Sequence, residues 1–237
     1  EMFSHLFVQD KVSESLMNSI GISNVTVSGD TRFDRVAANA SKKKSIAVAG
    51  DYTGSAFCLV AGSTWPADEN LLADYILKSS GGMKFIIAPH EIDQNHIKHL
   101  SGLLKDKYIL YSEYDQSVAK NKQVLIVDNI GMLSSLYRYG HCAYIGGGFG
   151  KGIHNVLEAA VFGIPVIFGP NYLKAREAVE MIETGAAFCV RSPEELTTII
   201  NKLAADRHFL EQTSRKARSY VEQNTGATKT IMQRVVG

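Results

Sequence analysis

The sequence predicts a doubly wound α/β domain built around a parallel β-sheet, and two observations carry that prediction. Seven short apolar runs indicate buried strands, at residues 57–61, 85–88, 108–110, 124–127, 143–145, 165–168 and 187–190. Helical patterns separate most of them, at residues 67–78, 92–104, 132–139, 155–162, 174–183 and 193–205. Strands that are apolar along their whole length and alternate with helices are typical of a parallel sheet covered on both faces.

The two ends of the chain have different patterns. Residues 10–20 have helical spacing, with Val12, Leu16 and Ile20 on one face, and residues 24–28 alternate like a strand. We interpret residues 1–40 as the end of a preceding domain plus a linker, the lysines at 42–44 as a solvated run, and residues 41–237 as the main domain. From Arg207 onward the pattern predicts one long, mostly polar helix.

Composition narrows the class of protein. The formal net charge of +1 gives no electrostatic case for nucleic-acid binding, because nucleic-acid-binding domains usually carry a clear basic excess. No apolar run approaches the roughly 20 residues of a membrane-spanning helix. Cys58, Cys142 and Cys189 lie in apolar runs without metal-type spacing, so we expect reduced core side chains and no metal site.

The loops after the strands are the candidate site, since ligands of such sheets bind just beyond the carboxyl ends of the strands. The first of these loops reads Gly62-Ser63-Thr64-Trp65-Pro66. Ser63 and Thr64 could donate hydroxyl hydrogen bonds to a phosphate. They could equally do no more than cap the helix that Pro66 opens.

The second strand-end loop contains Pro89 and His90. The imidazole of His90 could donate a hydrogen bond to a phosphate or a sugar, or it could face solvent. His96 and His99 follow on the next helix, where no carboxylate or cysteine stands beside them at helical spacing. We therefore expect these two histidines to lie on the surface.

The third strand-end loop reads Asp128-Asn129-Ile130-Gly131-Met132-Leu133. Backbone amides around Gly131 could pair with the edge of a nucleobase. Alternatively, Asp128 or Asn129 only caps the helix that follows.

The most unusual stretch is YIGGGFGKGIHNVLEAAVFGIPVIFGPN, at residues 144–171. Glycines at positions 146, 147, 148, 150 and 152 offer backbone amides ahead of a helix, which suits a phosphate, and Lys151 is a candidate partner of the anion. The stretch is not a P-loop, because Lys151 is followed by Gly152 instead of Ser or Thr. It also fails as a dinucleotide fingerprint, because Lys151 stands where the third glycine is needed.

Two interpretations stay open for the helix after this turn. Asn155 and Glu158 have the spacing of a capping box, in which Glu158 closes back on its own helix. Alternatively, the carboxylate of Glu158 accepts hydrogen bonds from the two hydroxyls of a ribose.

Four stretches together resemble the bacterial 3-deoxy-D-manno-octulosonic acid (Kdo) transferases. They are GDTRFD at residues 29–34, VAGSTWPADE at 60–69, VDNIGMLSSLY at 127–137 and GGGFGKGIHNVLEAAVFGIPVIFGPN at 146–171. The last stretch is specific, whereas a Glu-bearing helix after a glycine turn, followed by a G-x-P strand, occurs across GT-B glycosyltransferases. The similarity covers nearly the whole chain.

The resemblance implies the C-terminal, donor-binding half of a GT-B fold, with a Rossmann-like sheet in residues 41–237 and a C-terminal helix that crosses back to the other half. It implies transfer of Kdo from CMP-Kdo to a lipid A precursor in lipopolysaccharide core biosynthesis, with inversion and without a metal or cofactor. The family works at the cytoplasmic face of the bacterial inner membrane. Its catalytic Glu and membrane anchor lie in the N-terminal domain, so we expect this chain to be soluble and inactive alone.

Carried over onto this sequence, the donor site comprises Ser63, Thr64, Pro89, His90, Ile130, Gly131, Met132, Gly147, Gly148, Lys151, Asn155, Glu158 and Asn171. The hydroxyls at 63–64 would meet the phosphate or Kdo, and the backbone at 130–132 would meet cytosine. The glycine turn and Lys151 would face phosphate and sugar, with Glu158 on the ribose. One departure is that many members have Pro-Arg-His where this chain has Ala88-Pro89-His90, so Pro89 cannot make the donor contact expected of that arginine, and whether another residue replaces it stays open.

Other functions fit parts of the pattern. Within the GT-B fold, a UDP-GlcNAc-dependent transferase or 2-epimerase would need a similar glycine turn and glutamate. A non-catalytic nucleotide-binding domain would need only the strand-end loops. An NAD-dependent dehydrogenase is disfavoured, because the chain lacks the glycine fingerprint and the acidic residue for the ribose.

Overall fold

A computed structural model describes residues 3–42, 45–79 and 81–236, and its centre is a parallel sheet of seven strands. The strands are β1 (Leu6–Val8), β2 (Val25–Val27), β3 (Phe57–Thr64), β4 (Met83–Pro89), β5 (Tyr108–Leu110), β6 (Val124–Ile126), β7 (Cys142–Ile145), β8 (Val166–Phe168) and β9 (Ala187–Cys189). The large sheet has the order β5-β6-β4-β3-β7-β8-β9, and β1 and β2 form a separate parallel pair. The predicted doubly wound parallel sheet is confirmed, and each of the seven predicted strands is present.

The helices are α1 (Lys11–Ser19), α2 (Thr31–Ser41), α3 (Ala47–Thr53), α4 (Pro66–Lys78), α5 (Gln94–Leu104), α6 (Gln116–Ala119), α7 (Leu133–Leu136), α8 (Leu157–Ala160), α9 (Arg176–Thr184), α10 (Pro193–Ala205), α11 (Arg207–Asn224) and α12 (Ala227–Val236). The six predicted between strands are all present. Two of them, α7 and α8, are shorter than predicted, since each is a single α-helical turn. A 3-10 helix follows α7, and turn residues follow α8.

The sheet is covered on both faces, because neighbouring side chains of each strand point to opposite sides. In β3, Cys58 and Val60 belong to one buried cluster, whereas Leu59 and Ala61 belong to another. The first cluster includes side chains from α2, α8, α9 and α11, and the second includes side chains from α4, α5 and α10. Cys58 and Cys142 are buried free thiols, as expected, whereas the free thiol Cys189 is only partly buried.

The N-terminal segment forms a small β1–α1–β2 unit beside the large sheet. Its helix is where the sequence predicts it, but Val12, Leu16 and Ile20 do not face a core: they are 79%, 61% and 65% exposed. An ion pair between Asp10 and Arg176 of α9 ties this unit to the main body.

Helix α2 packs against the main body and is not a solvated linker. Phe33 and Val36 are 5% and 4% exposed and belong to the cluster on one face of the large sheet. The domain boundary at residues 40/41 stays a prediction. The packing of α2 supports a boundary closer to the N-terminus, before this helix. Lys42 is exposed, while residues 43–44 lie outside the described ranges.

The prediction of one long C-terminal helix is wrong. Helix α11 ends at Asn224, and α12 begins at Ala227 after two intervening residues, the second of which is Gly226 with a φ of +118°. The side chain of Asp34 in α2 accepts hydrogen bonds from the backbone amides of Gly226 (2.6 Å) and Thr228 (2.7 Å). A carboxylate from a distant helix thus caps α12, and the sequence near the break gives no sign of it. Across the described part of the chain, no helix has the length and hydrophobicity needed to cross a bilayer.

Candidate functional site

The order of the strands defines where a ligand can bind. Strands β4, β6 and β5 lie on one side of β3, and β7, β8 and β9 lie on the other, so the direction of winding reverses between β3 and β7. Sheets of this kind bind ligands outside the carboxyl ends of the strands at such a reversal. The loops after β3, β4, β6, β7 and β8 all end at this edge, so the structure brings the predicted strand-end loops together.

The end of β3 is held against the glycine turn. Pairing of β3 with β4 is irregular between Gly62 and Thr64, and Ser63 takes a φ of +53°, which is unusual for a side-chain-bearing residue. A Cβ on Gly146 would lie 2.1 Å from the carbonyl oxygen of Ser63. Glycine is therefore needed at 146 to let the two backbones meet.

Ser63 and Thr64 have different environments. Ser63 lines a pocket of about 660 Å³, with Pro89, His90, Ile130 and Gly131; we name it the β4–β6 pocket. Thr64 is fully buried, and its hydroxyl donates to the carboxylate of Glu69 (2.9 Å). The predicted contact from Thr64 to a ligand is not available in this structure. The capping alternative is also wrong, since the N-cap of α4 is Trp65.

Glu69 is the centre of a buried polar group. It is 0% exposed, and both of its carboxylate oxygens lie 2.9 Å from Nε2 of His96. The prediction that His96 is a surface residue is wrong, since its side chain is only 7% exposed, whereas His99 is exposed as predicted. Sequence spacing failed here because the carboxylate partner comes from α4, not from the histidine's own helix.

The loop after β6 presents two of its three predicted residues. Ile130 is 85% exposed and lines the β4–β6 pocket with Gly131, whereas the side chain of Met132 packs against the core. The predicted cap by Asp128 or Asn129 is wrong: Met132 is the N-cap of α7, and Asp128 instead accepts a hydrogen bond from the Ser112 amide (3.0 Å).

Glu158 lines a second pocket, of about 480 Å³, which we name the α2–α8 pocket. Its other lining residues include Arg35, Asn39, Gly131 and Ser134. The side-chain amide of Asn155 donates to Glu158 (3.3 Å), and its carbonyl oxygen accepts from the Leu157 amide (3.1 Å). The predicted capping box is not formed, because Asn155 accepts from the amide of Leu157 instead of that of Glu158, and Glu158 bonds the side chain of Asn155 and not its backbone. Gly131 lines both pockets, so they adjoin.

The glycine turn, at residues 146–152, is tightly packed in its first half and does not form an open anion-binding loop there. Gly147 and Gly148 are buried, and the amide of Gly147 donates to Asp68 (2.9 Å). A Cβ on Gly148 would lie 2.5 Å from the backbone nitrogen of Gly169. In this structure the Gly147 amide is therefore bonded within the protein, and donor binding at Gly147 and Gly148 stays a prediction.

Polar side chains line a third pocket, of about 540 Å³, beyond the glycine turn; we name it the β7–β8 pocket. Three of the predicted residues line it, namely Lys151, Asn155 and Asn171. Asn171 also closes the turn, since its side-chain amide donates to the Gly150 carbonyl (2.8 Å) and its backbone amide to that of Gly148 (2.9 Å).

Three aromatic rings stand between the β4–β6 and β7–β8 pockets. His90 stacks on Trp65 and on His154, with 4.5 Å between ring centroids in each pair. The indole Nε1–H of Trp65 donates to Nε2 of His154 (3.1 Å). Burial lowers the pKa of His154, the neighbouring His90 lowers it further, and Asp68 acts in the opposite direction.

Sequence reasoning missed several residues of this edge. Asp68 accepts hydrogen bonds from the backbone of Trp65 (3.0 Å) and Gly147 and from the hydroxyl of Tyr144 (2.8 Å). An acidic residue three positions after a helix N-cap is a recognised signal and could have been noticed. Nothing in the sequence pairs Trp65 with His154, because 89 positions separate them. Ligand-type atoms of Glu91, Asp93 and His96 lie within 4.8 Å of one another, but His96 already bonds Glu69.

Comparison with known proteins gives a consistent family. No protein-family model matches the chain. Curated 3-deoxy-D-manno-octulosonic acid transferases do: the chain is 30% identical to that of Rickettsia prowazekii over 237 residues, 26% to that of Rickettsia bellii over 230, and 30% to that of Aquifex aeolicus over 192. These alignments cover 94%, 94% and 77% of the chain, and 49%, 53% and 51% of the relatives. The chain thus spans about half the length of the curated relatives it matches.

Solved structures confirm the fold. The C-terminal CMP-Kdo binding domain of WaaA from Acinetobacter baumannii superposes with a TM-score of 0.64 at 21% identity, over 81% of this chain and 100% of that one. The UDP-GlcNAc 2-epimerase of Neisseria meningitidis gives a TM-score of 0.64 at 19% identity, over 97% of this chain and 60% of that one. Together with the curated relatives, these matches confirm the resemblance that the four sequence stretches indicate.

Proposed function

We propose that this chain is the donor-binding, C-terminal half of a Kdo transferase, the family to which it is related over 94% of its length. The donor is CMP-Kdo and the acceptor a lipid A precursor. The acceptor, the membrane association at the cytoplasmic face of the inner membrane and the inverting, metal-independent course of the reaction belong to the same proposal. So does the interpretation of residues 1–40 as the end of the N-terminal domain and its linker.

One observation carries the proposal: the three pockets share one edge of the sheet, at the reversal of strand order. The β4–β6 and α2–α8 pockets adjoin at Gly131, and the β7–β8 pocket lies beyond the glycine turn. Cytosine would lie near Ile130 and Gly131, and the ribose hydroxyls would bond the carboxylate of Glu158. The phosphate would lie at Ser63 and His90, which leaves the β7–β8 pocket for the sugar.

The chemistry of this half is electrostatic. An acceptor hydroxyl attacks the anomeric carbon of Kdo while CMP leaves with growing negative charge on its phosphate. Donors fixed in advance stabilise such a charge most where it develops. Ser63, His90 and Lys151 are the side chains available for this at the pocket edges.

The attacking hydroxyl also needs a base, and the resemblance to Kdo transferases implies that this base is a Glu of the N-terminal half. We therefore expect the chain to bind CMP weakly and to transfer no Kdo alone. Measurable transfer by the isolated chain would contradict this division of labour.

Calorimetric titration with CMP and with UDP tests the proposal. The rival function is a UDP-sugar enzyme, favoured by the equally high TM-score of the 2-epimerase. Tighter binding of CMP supports the Kdo transferase, and tighter binding of UDP supports the rival.

A further inference from the structure

The β7–β8 pocket carries an excess of positive charge. Four cationic side chains line it, namely Arg32, Lys151, Lys174 and Arg176, whereas Glu177 is the one lining carboxylate among the described residues. A pocket for a neutral sugar has no need of such an excess.

The four cations are not equivalent. Arg32 is bonded to Asp30 and Glu177, and Arg176 is bonded to Asp10 and Glu180. Lys151 and Lys174 form no ion pair with the described residues, and both are exposed at the pocket. The two lysines are therefore the cations free to meet an anionic ligand.

His154 adds a directional donor to the same pocket. Trp65 Nε1–H can only donate, so Nε2 of His154 is the acceptor in their hydrogen bond, and a neutral ring must carry its proton on Nδ1. Among the described residues Nδ1 has no hydrogen-bond partner, and His154 lines the pocket. Burial, and after it the neighbouring His90, lowers the pKa of this imidazole from its usual value, which favours the neutral ring.

We propose that the β7–β8 pocket selects an acidic sugar by binding its carboxylate, with Lys174 and Lys151 supplying charge and the Nδ1–H of His154 a hydrogen bond. This rests on the proposed function, whose transferred sugar is by name an acid. It distinguishes the chain from enzymes acting on UDP-GlcNAc, whose sugar carries no charge. Lys174 and His154 thereby become specificity residues of the donor site.

The test compares CMP with CMP-Kdo in the wild-type chain and in Lys174→Gln. The fluorescence of Trp65, the single tryptophan, reports binding because its ring stacks on His90 at the pocket edge. We expect Lys174→Gln to weaken CMP-Kdo about fivefold and to leave CMP unchanged, the effect of one partly exposed ion pair. Lys174→Arg should restore most of the loss, and Lys98→Gln, an exposed lysine of α5, is the charge-matched control.

The outcomes separate the two proposals. If CMP binds but Lys174→Gln changes CMP and CMP-Kdo equally, or changes neither, the carboxylate site is wrong while the nucleotide site stands. If CMP does not bind at all, the proposed function fails first.

Nitrogen-15 NMR of the imidazole tests His154 without any ligand. We expect the Nδ1–H tautomer to dominate in the wild type and to lose this preference in Trp65→Phe. An Nε2–H tautomer in the wild type would overturn the role of His154.

Discussion

Glu158 is the side chain on which the proposed nucleotide site depends most. Glu158→Gln keeps the size but loses the charge that strengthens hydrogen bonds from ribose hydroxyls, so we expect CMP to bind about tenfold more weakly. Calorimetry measures this, with Glu222→Gln on the exposed side of α11 as the control. Unchanged affinity would show that Glu158 serves only its helix and Asn155.

Glu69 is predicted to be a stability residue. Glu69→Ala would leave the hydroxyl of Thr64 and the imidazole of His96 buried without their partner. We expect a loss of about 2–4 kcal/mol in the free energy of unfolding, measured by urea denaturation. Glu91→Ala, an exposed carboxylate nearby, should change stability little. Equal losses in both variants would contradict the assignment.

At this scale the sequence identifies residue types better than it identifies roles. It places Ser63 and Thr64 side by side as equal candidates, yet one lines a pocket and the other bonds Glu69. Ser63 has a positive φ at this point, and its carbonyl lies against the backbone of Gly146 from a distant segment. Contacts between distant segments decide such details, and spacing along one segment cannot.

Among the structural elements, the glycine turn should be the least tolerant of substitution. Gly146→Ala puts a methyl group into the Ser63 carbonyl, so we expect a loss of more than about 3 kcal/mol or failure to fold. Gly102→Ala in α5 is the opposite case, since its Cβ meets nothing within 4 Å, and helix propensity should add about 0.5–1 kcal/mol. Thermal unfolding of the two variants compares them directly. A tolerated Gly146→Ala would mean that the turn is less tightly packed than described.

The carboxylate of Asp34 caps the start of helix α12. Burial raises the pKa of Asp34, but the amide hydrogen bonds of Thr228 and Gly226 outweigh it and hold the pKa below its usual value. A carboxyl whose pKa is lowered by folding stabilises the fold above its unfolded pKa, and this contribution is lost as the pH falls through the folded value.

We therefore expect Asp34→Ala to cost about 1 kcal/mol at pH 7 and clearly less near pH 3. Urea denaturation at the two pH values measures the difference, and Asp106→Ala, an exposed carboxylate, is the control. A loss that does not depend on pH would argue against the cap.

Strands were predictable because each is apolar over its length and bounded by polar turns. The break between α11 and α12 was not, because the carboxylate that fixes it lies 192 positions away from Gly226. The short helices α7 and α8 were predicted too long for a related reason: turn structure beside them preserves the helical spacing of apolar residues.

For the whole molecule, the position of the domain boundary can be tested by truncation. A chain that begins at Gly29 keeps α2, so we expect its stability to stay near that of the full chain. A chain that begins at Lys42 loses Phe33 and Val36, which are buried in the main body, and should lose about 3–6 kcal/mol. Equal stability of the two would support the boundary at residues 40/41 instead.

The position of the strand-end loops in the proposed site was predictable from the sequence. Because a parallel sheet gathers its strand ends, the loops carrying Ser63, His90, Gly131 and Glu158 had to share an edge. Lys151, Asn155 and Asn171 of the β7–β8 pocket were predicted, but its arginines were not, because Arg32 and Arg176 enter it from α2 and α9, which the sequence does not bring together.

The contact between Gly148 and Gly169 has a consequence for the kinetics of binding. Because the two backbones are in close contact, we expect the glycine turn and the start of the loop after β8 to move together. A ligand therefore finds its pocket walls already ordered and has little segmental motion to suppress. Association should follow a single exponential in stopped-flow traces, with a rate that rises linearly with ligand concentration and shows no slow closing phase.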